Sequence, residues 1–320
     1  MKQSSLGLGT STKRTRRREF LDEMDRVVPW SDLVAQIAPF MPEGKRGRPP
    51  FPVESLLRIH FMQQWFTLSD PAMEEALHDM PLFRDFAGLG GWDDRLPDES
   101  TILRFRHVLE KHKLAVRILA TVNLLLGAKG LMLRSGTVVD ATLISAPSST
   151  KNASGERDPE MHQSKKGQQW FFGMKAHIGV DADSGLVHTV RGTSGNVNDV
   201  VEANSLLHGQ ETDVFADAGY QGAHKRPDAK DDVQWHVAMR PGLRKLLDKA
   251  DPMDALTDQV ERIKASIRAK VEHPFRVIKR QFGHVKVRYR GLAKNTAQLH
   301  TLFALANLWM VRKRLTGSLA

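Results

Sequence analysis

The stretch Gly136-Thr137-Val138-Val139-Asp140-Ala141-Thr142-Leu143-Ile144 decides the fold class of this chain. Its β-branched and apolar residues predict a short buried strand, and an aspartate stands in the middle of it. A carboxylate inside a buried strand costs free energy unless it binds something. Asp140 is therefore the first candidate functional residue, although a lone aspartate can also be a simple turn or cap residue.

Further short apolar runs extend this strand into a sheet. Strands are predicted at Trp170–Val180, Leu186–Thr193, Val214–Ala216 and Trp235–Met239, and the first two are joined by the turn residues 181–185. Helices are predicted at Val197–Leu207 and, as one long helix, at Met253–Phe282. The order β-β-β-α-β-α-β-α predicts an α/β domain with a mixed sheet and helices covering both faces.

Residues 20–128 show a different pattern, which predicts four or five short helices and no strand. One helix is expected over residues 20–40 and another from Val53 to Trp65. Asp70 is predicted to cap the next helix, and Asp98 to cap a further one that ends near residue 112. Both a helix-turn-helix DNA-binding module and a plain helical bundle fit this pattern.

The composition is that of a globular protein, with 41% hydrophobic and 26% charged residues in 320. No run of about 18 apolar residues is present, so no membrane span is expected. The first residues are basic and lack the apolar stretch of a secretory signal. The absence of cysteine excludes disulfides, thiolate metal sites and cysteine nucleophiles. A cytoplasmic protein fits these features best.

Positive charge is concentrated near the C-terminus. The net charge is +10, yet residues 261–320 alone carry 14 basic side chains against Glu261 and Glu272. A single run of charged residues is usually a solvated helix face. An excess of basic over acidic side chains this large favours binding to nucleic acid. Residues 42–50 add Lys45, Arg46 and Arg48 among prolines and glycines, either as a contact to phosphates or as an exposed linker.

Two more acidic residues complete a candidate metal site. Asp217 follows the predicted strand Val214–Ala216, and ligands of α/β sheets bind beyond the carboxyl ends of strands. Glu272 lies on the long helix between Arg268 and Lys279, within roughly 40° of both on one helical face. Such a row is either a solvated ion-pair ladder or a site in which the glutamate binds metal and the cations bind phosphate.

Other polar residues receive structural interpretations. Asp181 and Asp183 are expected to serve the geometry of a turn, and Asp199 to stand at a helix start. His177 is interpreted as a core histidine within a strand. Leu302, Leu305, Leu308 and Trp309 of the last helix are expected to pack in the core; no histidine pair has the spacing of a zinc site.

Several motifs together resemble DDE-type insertion-sequence transposases, specifically the insertion sequence five family. In the catalytic half they are 139–144 (VDATLI), 166–177 (KGQQWFFGMKAH) and 216–222 (ADAGYQG); in the N-terminal half they are 68–70 (LSD), 74–77 (EEAL), 97–101 (PDEST) and 104–106 (RFR). The resemblance covers about residues 20–315. The family's Tyr-x2-Arg-x3-Glu-x6-Lys signature matches Arg268, Glu272 and Lys279, but its tyrosine position is Ala265 here.

The resemblance implies an RNase H-like catalytic domain in which Asp140, Asp217 and Glu272 bind Mg²⁺, with Mn²⁺ able to substitute. It divides the chain into a flexible basic N-terminus (1–19), a helical domain for DNA binding or dimerisation (20–128) and the DDE catalytic domain (129–320). The implied reaction is cleavage at the ends of an insertion sequence and joining of the freed 3′ hydroxyls to target DNA.

The resemblance also implies the partners of the chain. They are double-stranded DNA, as terminal inverted repeats and as target, and a second copy in a homodimer associated with a bacterial nucleoid. Arg268 and Lys279 would position phosphates, and the further backbone contacts expected from the basic residues are Lys286, Arg288, Arg290 and Lys294. A catalytically silent DNA-binding regulator and a nuclease without strand transfer remain the competing interpretations.

Overall fold

The computed structural model describes residues 14–42, 49–91, 94–152 and 154–317. Its N-terminal region is helical, as the sequence predicted. The helices of this region are α1 (Arg16–Val27), α2 (Trp30–Ile37), α3 (Val53–Phe66), α4 (Asp70–Asp79), α5 (Pro81–Ala87), α6 (Glu99–Lys111) and α7 (Leu114–Ala128). No helix among the described residues combines the length and the apolar character that crossing a bilayer requires.

The single helix expected over residues 20–40 is divided at Pro29. α1 ends at Val27 and α2 begins at Trp30, because a proline has no N–H to continue the helical ladder. The indole Nε1 of Trp30 instead donates to the carbonyl oxygen of Asp25 at 3.1 Å. The prediction of one continuous helix was therefore wrong at this point.

The cap of α4 is Ser69, and the prediction of Asp70 was wrong by one residue. The backbone N–H of Ala72 donates to Ser69 Oγ at 3.3 Å, as expected of a serine N-cap. The carboxylate of Asp70 is occupied elsewhere, since it accepts hydrogen bonds from Arg106 and Gln63, each at 2.8 Å. Asp98 does cap α6, because the N–H of Thr101 donates to it at 2.7 Å.

A six-stranded mixed sheet follows the helical region. Its strands are β1 (Gly136–Ser145), β2 (His162–Lys166), β3 (Gln169–Asp181), β4 (Val187–Ser194), β5 (Asp213–Ala216) and β6 (Gln234–Val237). β1 is antiparallel to β3 and parallel to β5, and β5 is parallel to β6. β3 also pairs with β2 and β4. The polar residues of β2 gave no strand signal, so the sequence prediction missed it.

The two faces of the sheet carry separate cores. Val138 packs with α12 (Leu292–Leu315) and the N-terminal helices in one large apolar cluster. Val139, Val214 and Ala216 point to the other face and pack in a smaller cluster with Tyr220. This alternation follows from the pleat of a strand. It fixes Asp140 on the same face as Val138.

Helical structure on the smaller face is shorter than the sequence predicted. The helix expected at Val197–Leu207 is reduced to α8 (Asp199–Glu202) and a 3-10 turn at Asn204–Leu206. Between β5 and β6 a helix was expected, but only the 3-10 turns Ala218–Tyr220 and Ala223–Lys225 occur there. Gly222 has a positive φ of 90° between these turns, which interrupts any longer helix.

The long helix predicted at Met253–Phe282 is present but irregular. After the short α9 (Pro241–Arg244), the chain forms α10 (Pro252–Arg268), a 3-10 turn (Ala269–Val271), α11 (Glu272–Arg276) and a π-helical segment (Val277–Gln281). Pro274 lies inside this rod and has no N–H to donate to the carbonyl of the preceding turn. The irregular turns therefore surround the proline.

The C-terminal helix α12 joins the two regions. Leu302, Leu305 and Leu308 are fully buried and Trp309 partly so, which confirms the predicted core role. Asn307 is buried too; the N–H of Val187 on β4 donates to its Oδ1 at 2.8 Å, and its Nδ2 donates to the carbonyl of Val187 at 2.7 Å. The amide therefore fixes α12 against an edge of the sheet.

Candidate active site

The strand register places Asp140 beside Asp217. β1 and β5 are parallel and pair Val138 with Phe215. Two residues farther along each strand stand Asp140 and Asp217, on the same side of the sheet because side chains alternate. Asp217 comes directly after β5, and the N–H of Gly219 donates to its Oδ1 at 2.8 Å. The middle of β1 therefore supports Asp140, and the end of β5 supports Asp217.

Glu272 reaches the same place from the irregular helix. It is the first residue of α11, and it is exposed, whereas Val271, Phe275 and Ile278 are buried in the larger core. These apolar neighbours hold the helix against the face of the sheet that carries Asp140. The sequence positions 140, 217 and 272 are thus brought from two strands and one helix to one surface.

All three acids line one cleft of about 690 Å³. Its walls also contain several basic residues, one histidine and one further acid, which are Lys165, Lys175, Arg268, Arg276, Lys279, Arg280, His273 and Asp199. Phosphodiesters are anions, so the basic side chains of this cleft attract them. The three carboxylates repel phosphodiesters and attract metal cations or bind protons. The cleft therefore brings three carboxylates together with a group of basic side chains.

The surroundings of Asp140 raise the pKa of its carboxyl group. Burial is the main cause that raises its pKa to about 7, and the nearby charges of Asp217 and Glu272 raise this pKa further. A hydrogen bond from the N–H of Ala141, at 2.7 Å, and the charge of Arg268 lower the pKa in part. An acid in this environment binds a proton or a cation readily near neutral pH.

The donor set fits a hard divalent cation. Carboxylate oxygens are the protein ligands that Mg²⁺ prefers, and a bound cation would reverse the unfavourable burial of the charge on Asp140. Within residues 14–42, 49–91, 94–152 and 154–317, however, no three histidine, aspartate or glutamate side chains form a group that could hold a metal ion as they stand. The exposed Glu272 is the member of the set with the most freedom to move.

Comparison with protein-family models decides the family. A model described as Transposase DDE domain matches residues 132–308, more than half of the chain, including Asp140, Asp217 and Glu272. The chain belongs to this family. A second model, described as Transposase domain (DUF772), matches residues 10–108, most of the helical region. The helical N-terminal region followed by a mixed sheet confirms the predicted fold class, consistent with an RNase H-like DDE domain.

Two cations predicted from the sequence lie in the cleft of the DDE domain. Lys279 donates to Thr142 Oγ1 at 2.5 Å and to the carbonyl of Leu143 at 3.1 Å, so it is held against β1. Arg268 is half-buried, and in the described part of the chain its Nε is buried without a hydrogen-bond partner. A buried donor without a partner costs free energy, so this Nε is available to an incoming acceptor.

Four other predicted DNA contacts do not line this cleft. Arg288 donates to the carbonyl of Thr67 at the end of α3, and Arg290 to Ser154 Oγ at 2.9 Å. Lys286 and Lys294 are exposed. Lys45, Arg46 and Arg48 lie outside the described residues. A contact of Lys286, Arg288, Arg290 or Lys294 with DNA would therefore be made outside the cleft.

Sequence reasoning missed a charged pair that lines the cleft. Lys175 Nζ donates to Asp199 at 2.8 Å and to the carbonyl of Val197 at 2.7 Å. Asp199 was interpreted as part of a helix start, and it does begin α8, although Asn198 caps that helix. His177 is fully buried, as predicted, and burial lowers its pKa to about 4, so it is neutral at pH 7. The pair of Lys175 and Asp199 was missed because no sequence pattern links two residues that are 24 positions apart.

Arg276 and Arg280 were also missed, although a signal for them exists. They follow Glu272 by four and eight residues, which keeps them on neighbouring positions of one helical face. Both are exposed, and neither takes part in an ion pair with any residue that the structure describes. They are therefore candidate phosphate ligands of the DDE domain.

Proposed function

We propose that this member of the transposase DDE domain family is an insertion-sequence transposase of the insertion sequence five family. It would cleave DNA at the ends of the element and join the freed ends to target DNA. The observation that carries the proposal is the common cleft, which Asp140, Asp217 and Glu272 line together with several basic side chains. The raised pKa of Asp140 supports a site that binds a cation rather than a structural ion pair.

In this proposal Asp140, Asp217 and Glu272 hold Mg²⁺, with Mn²⁺ able to substitute. When bound there, the metal would supply Lewis-acid activation of the attacking oxygen of water or of the 3′ hydroxyl, and of the leaving oxygen of the phosphodiester. Asp140 and Asp217 are fixed by their strands, and Glu272 comes to them from the helix. Arg268 binds a non-bridging phosphate oxygen through the Nε that lacks a partner.

The chemistry has two steps with balanced atoms. Water adds to the phosphorus at the end of the element, the P–O3′ bond breaks, and the leaving oxygen takes up a proton as a 3′ hydroxyl. That hydroxyl then loses its proton and attacks a phosphodiester of the target, so one bond forms as one breaks. Lys279, Arg276 and Arg280 hold phosphates in both steps through charge and hydrogen bonds, and the proposal gives them no part in proton transfer.

The proposal assigns sequence-independent contacts to the remaining cations. Lys286, Arg288, Arg290 and Lys294 would follow the DNA backbone outside the cleft, and Lys45, Arg46 and Arg48 would do so from the N-terminal half. The divisions at residues 1–19, 20–128 and 129–320 are proposed as the basic N-terminus, the helical domain for DNA binding or dimerisation, and the catalytic domain.

We further propose that two copies act together, since two element ends have to be cut and joined. Such a homodimer would work on the chromosome, in the cytoplasm of a bacterial cell. The bound ends would be double-stranded terminal inverted repeats.

A nicking assay on DNA carrying the repeats that flank the gene tests the proposal. Cleavage should require Mg²⁺ or Mn²⁺, and Asp140→Asn should lower its rate roughly 10³-fold, because several kcal/mol of transition-state stabilisation are removed. DNA binding by the variant should persist. Binding without any cleavage by the unmodified protein would instead support a silent regulator, and cleavage without joined products would support a nuclease.

A further inference from the structure

The helix α10 has its apolar side turned to solvent. Met253, Leu256, Val260 and Ile263 are exposed at 70%, 54%, 43% and 55% of their surface. These four residues form one row along the helix, called the α10 stripe below. A surface helix normally turns such a row towards its own core. The orientation leaves a large apolar surface in water, which is a common mark of an interaction site.

The polar side of α10 faces the protein instead. Glu261 is buried, and it accepts hydrogen bonds from the N–H of Met239 at 2.9 Å and from Lys264 Nζ at 2.8 Å. Asp258 pairs with Arg244 of α9 at 2.8 Å. These bonds fix the rotation of the helix about its axis. The exposure of the stripe is therefore built into the fold by the ion pairs on the opposite side.

The spacing of the stripe fits another helix. Its members are separated by three, four and three residues, which is the a/d spacing of a coiled coil. The positions that flank this seam are Thr257, Gln259, Lys264 and Ser266. Only one of them is charged, and its ammonium is paired with Glu261. Two identical stripes can therefore approach each other with little repulsion along their edges.

Charge selects an antiparallel copy of the same helix as the partner. Residues 248–258 contain four aspartates and one lysine, a net charge of −3. Residues 261–270 contain four basic residues and one glutamate, a net charge of +3. Antiparallel pairing about a two-fold axis near Asp258 sets each acidic half beside a basic half. Parallel pairing would set like charges together.

We infer that the α10 stripe is the surface through which two copies of this chain pair, antiparallel and about a two-fold axis. The inference rests on the pairing of copies proposed above and names its surface. α10 runs through a single 3-10 turn into Glu272. Contact with the partner therefore steadies the helix that supplies the third acid of the cleft, and it couples the two catalytic sites physically.

Sedimentation or light scattering of the full chain, with and without end DNA, tests the pairing and its surface. The double substitution Val260→Asp, Ile263→Asp should raise the dimer dissociation constant about 100-fold or more, since each new carboxylate would lose its water against Leu256 or Met253 of the other copy, beside that copy's acidic half. Leu124→Asp is the matched control, because Leu124 is exposed at 69% on α7. A dimer that resists the double substitution would overturn the surface, and a wild-type protein that stays monomeric even on DNA would overturn the pairing.

Cysteine cross-linking tests the orientation independently of the charged variants. The chain contains no cysteine, so single substitutions give unambiguous disulfides. In an antiparallel seam Leu256 of one copy faces Val260 of the other. A mixture of Leu256→Cys and Val260→Cys proteins should form more cross-linked dimer than either protein alone. Equal cross-linking of each variant with itself would overturn the antiparallel arrangement. Nicking of end DNA by the wild-type protein is measured separately. If nicking occurs but the α10 stripe does not pair, the surface is wrong; if no nicking occurs, the proposed function is wrong.

Discussion

At the scale of single residues, Asp140 carries an energetic cost that the proposed metal site would explain. Its carboxylate is buried beside two other acids, and burial together with their charges raises its pKa to about 7. A residue selected for stability alone would not be charged at this place, because an amide of the same shape avoids the cost. Sites that bind cations often carry such a cost in the absence of the ion.

Replacement of Asp140 by Asn should therefore stabilise the metal-free protein above neutral pH. The folded-state pKa is higher than the ordinary aspartate value of 3.8, so the destabilisation by Asp140 is absent below about pH 4 and grows as the pH rises towards 7. At pH 8 in EDTA the variant should gain on the order of 2–4 kcal/mol in the free energy of unfolding. Urea unfolding of both proteins at pH 4 and pH 8 measures this.

Two comparisons make that result specific. Asp231→Asn removes an exposed aspartate and should change stability by less than about 0.5 kcal/mol at either pH. Adding Mg²⁺ at pH 8 should raise the Tm of the wild-type protein more than that of the variant. An equal gain at pH 4 and pH 8 would show that packing, and not the charge of Asp140, causes the difference.

The sequence alone was enough to select candidate residues whose unusual feature lies in their sequence neighbours. Asp140 and Asp217 could be predicted because an acid next to an apolar strand is already unusual in the chain itself. The pair between Lys175 and Asp199 could not be predicted, since it joins β3 to α8 only after the sheet has formed. The same is true of Asp70, whose partner Arg106 is 36 residues away.

At the scale of elements, α4 provides a direct test of which residue caps it. Ser69→Ala should cost about 1 kcal/mol of stability, the usual loss of a serine N-cap. Asp70→Ala should cost more, about 3 kcal/mol, because it leaves the guanidinium of the buried Arg106 without one of its carboxylate partners. Thermal or urea unfolding of the two variants measures the order, and a larger loss in Ser69→Ala would contradict the assignment.

The helical segment from residue 252 to residue 281 has irregular turns that hydrophobic periodicity does not predict. Its extent could be predicted from periodicity, but the 3-10 and π-helical turns around Pro274 could not. These turns alter the rotation per residue and thereby set how Arg268, Glu272 and Lys279 face the sheet. π-helical segments are frequent at functional sites, and this one lies directly after the helix that carries Glu272.

At the scale of the whole molecule, the concentration of positive charge near the cleft should govern the salt dependence of DNA binding. Arg276→Gln should weaken binding and reduce the slope of log K against log salt by about 1, because one phosphate contact is lost. Lys129→Gln removes one charge from an exposed position after α7 and should leave the slope unchanged. Fluorescence anisotropy at several salt concentrations measures both, and equal slopes for the two variants would refute a phosphate contact at Arg276.

The arrangement of the whole chain also depends on α12, which packs on α7 and on β4 through one buried amide, Asn307. The helical region and the sheet therefore share one apolar core. A helical region followed by a mixed sheet could be predicted from the sequence, although β2 was missed and the helix expected between β5 and β6 was wrong. The assembly of the two regions around the last helix could not be predicted, because α12 meets partners more than 100 residues away.

The most direct test of the account is an anomalous difference map of the protein crystallised with Mn²⁺ and DNA of an element end. We predict bound manganese with oxygens of Asp140, Asp217 and Glu272 within about 2.5 Å of it. Glu272 would have to move towards the two aspartates to reach this arrangement. Manganese bound elsewhere, or bound by the aspartates while Glu272 points away, would contradict the proposal that these three residues form the metal site.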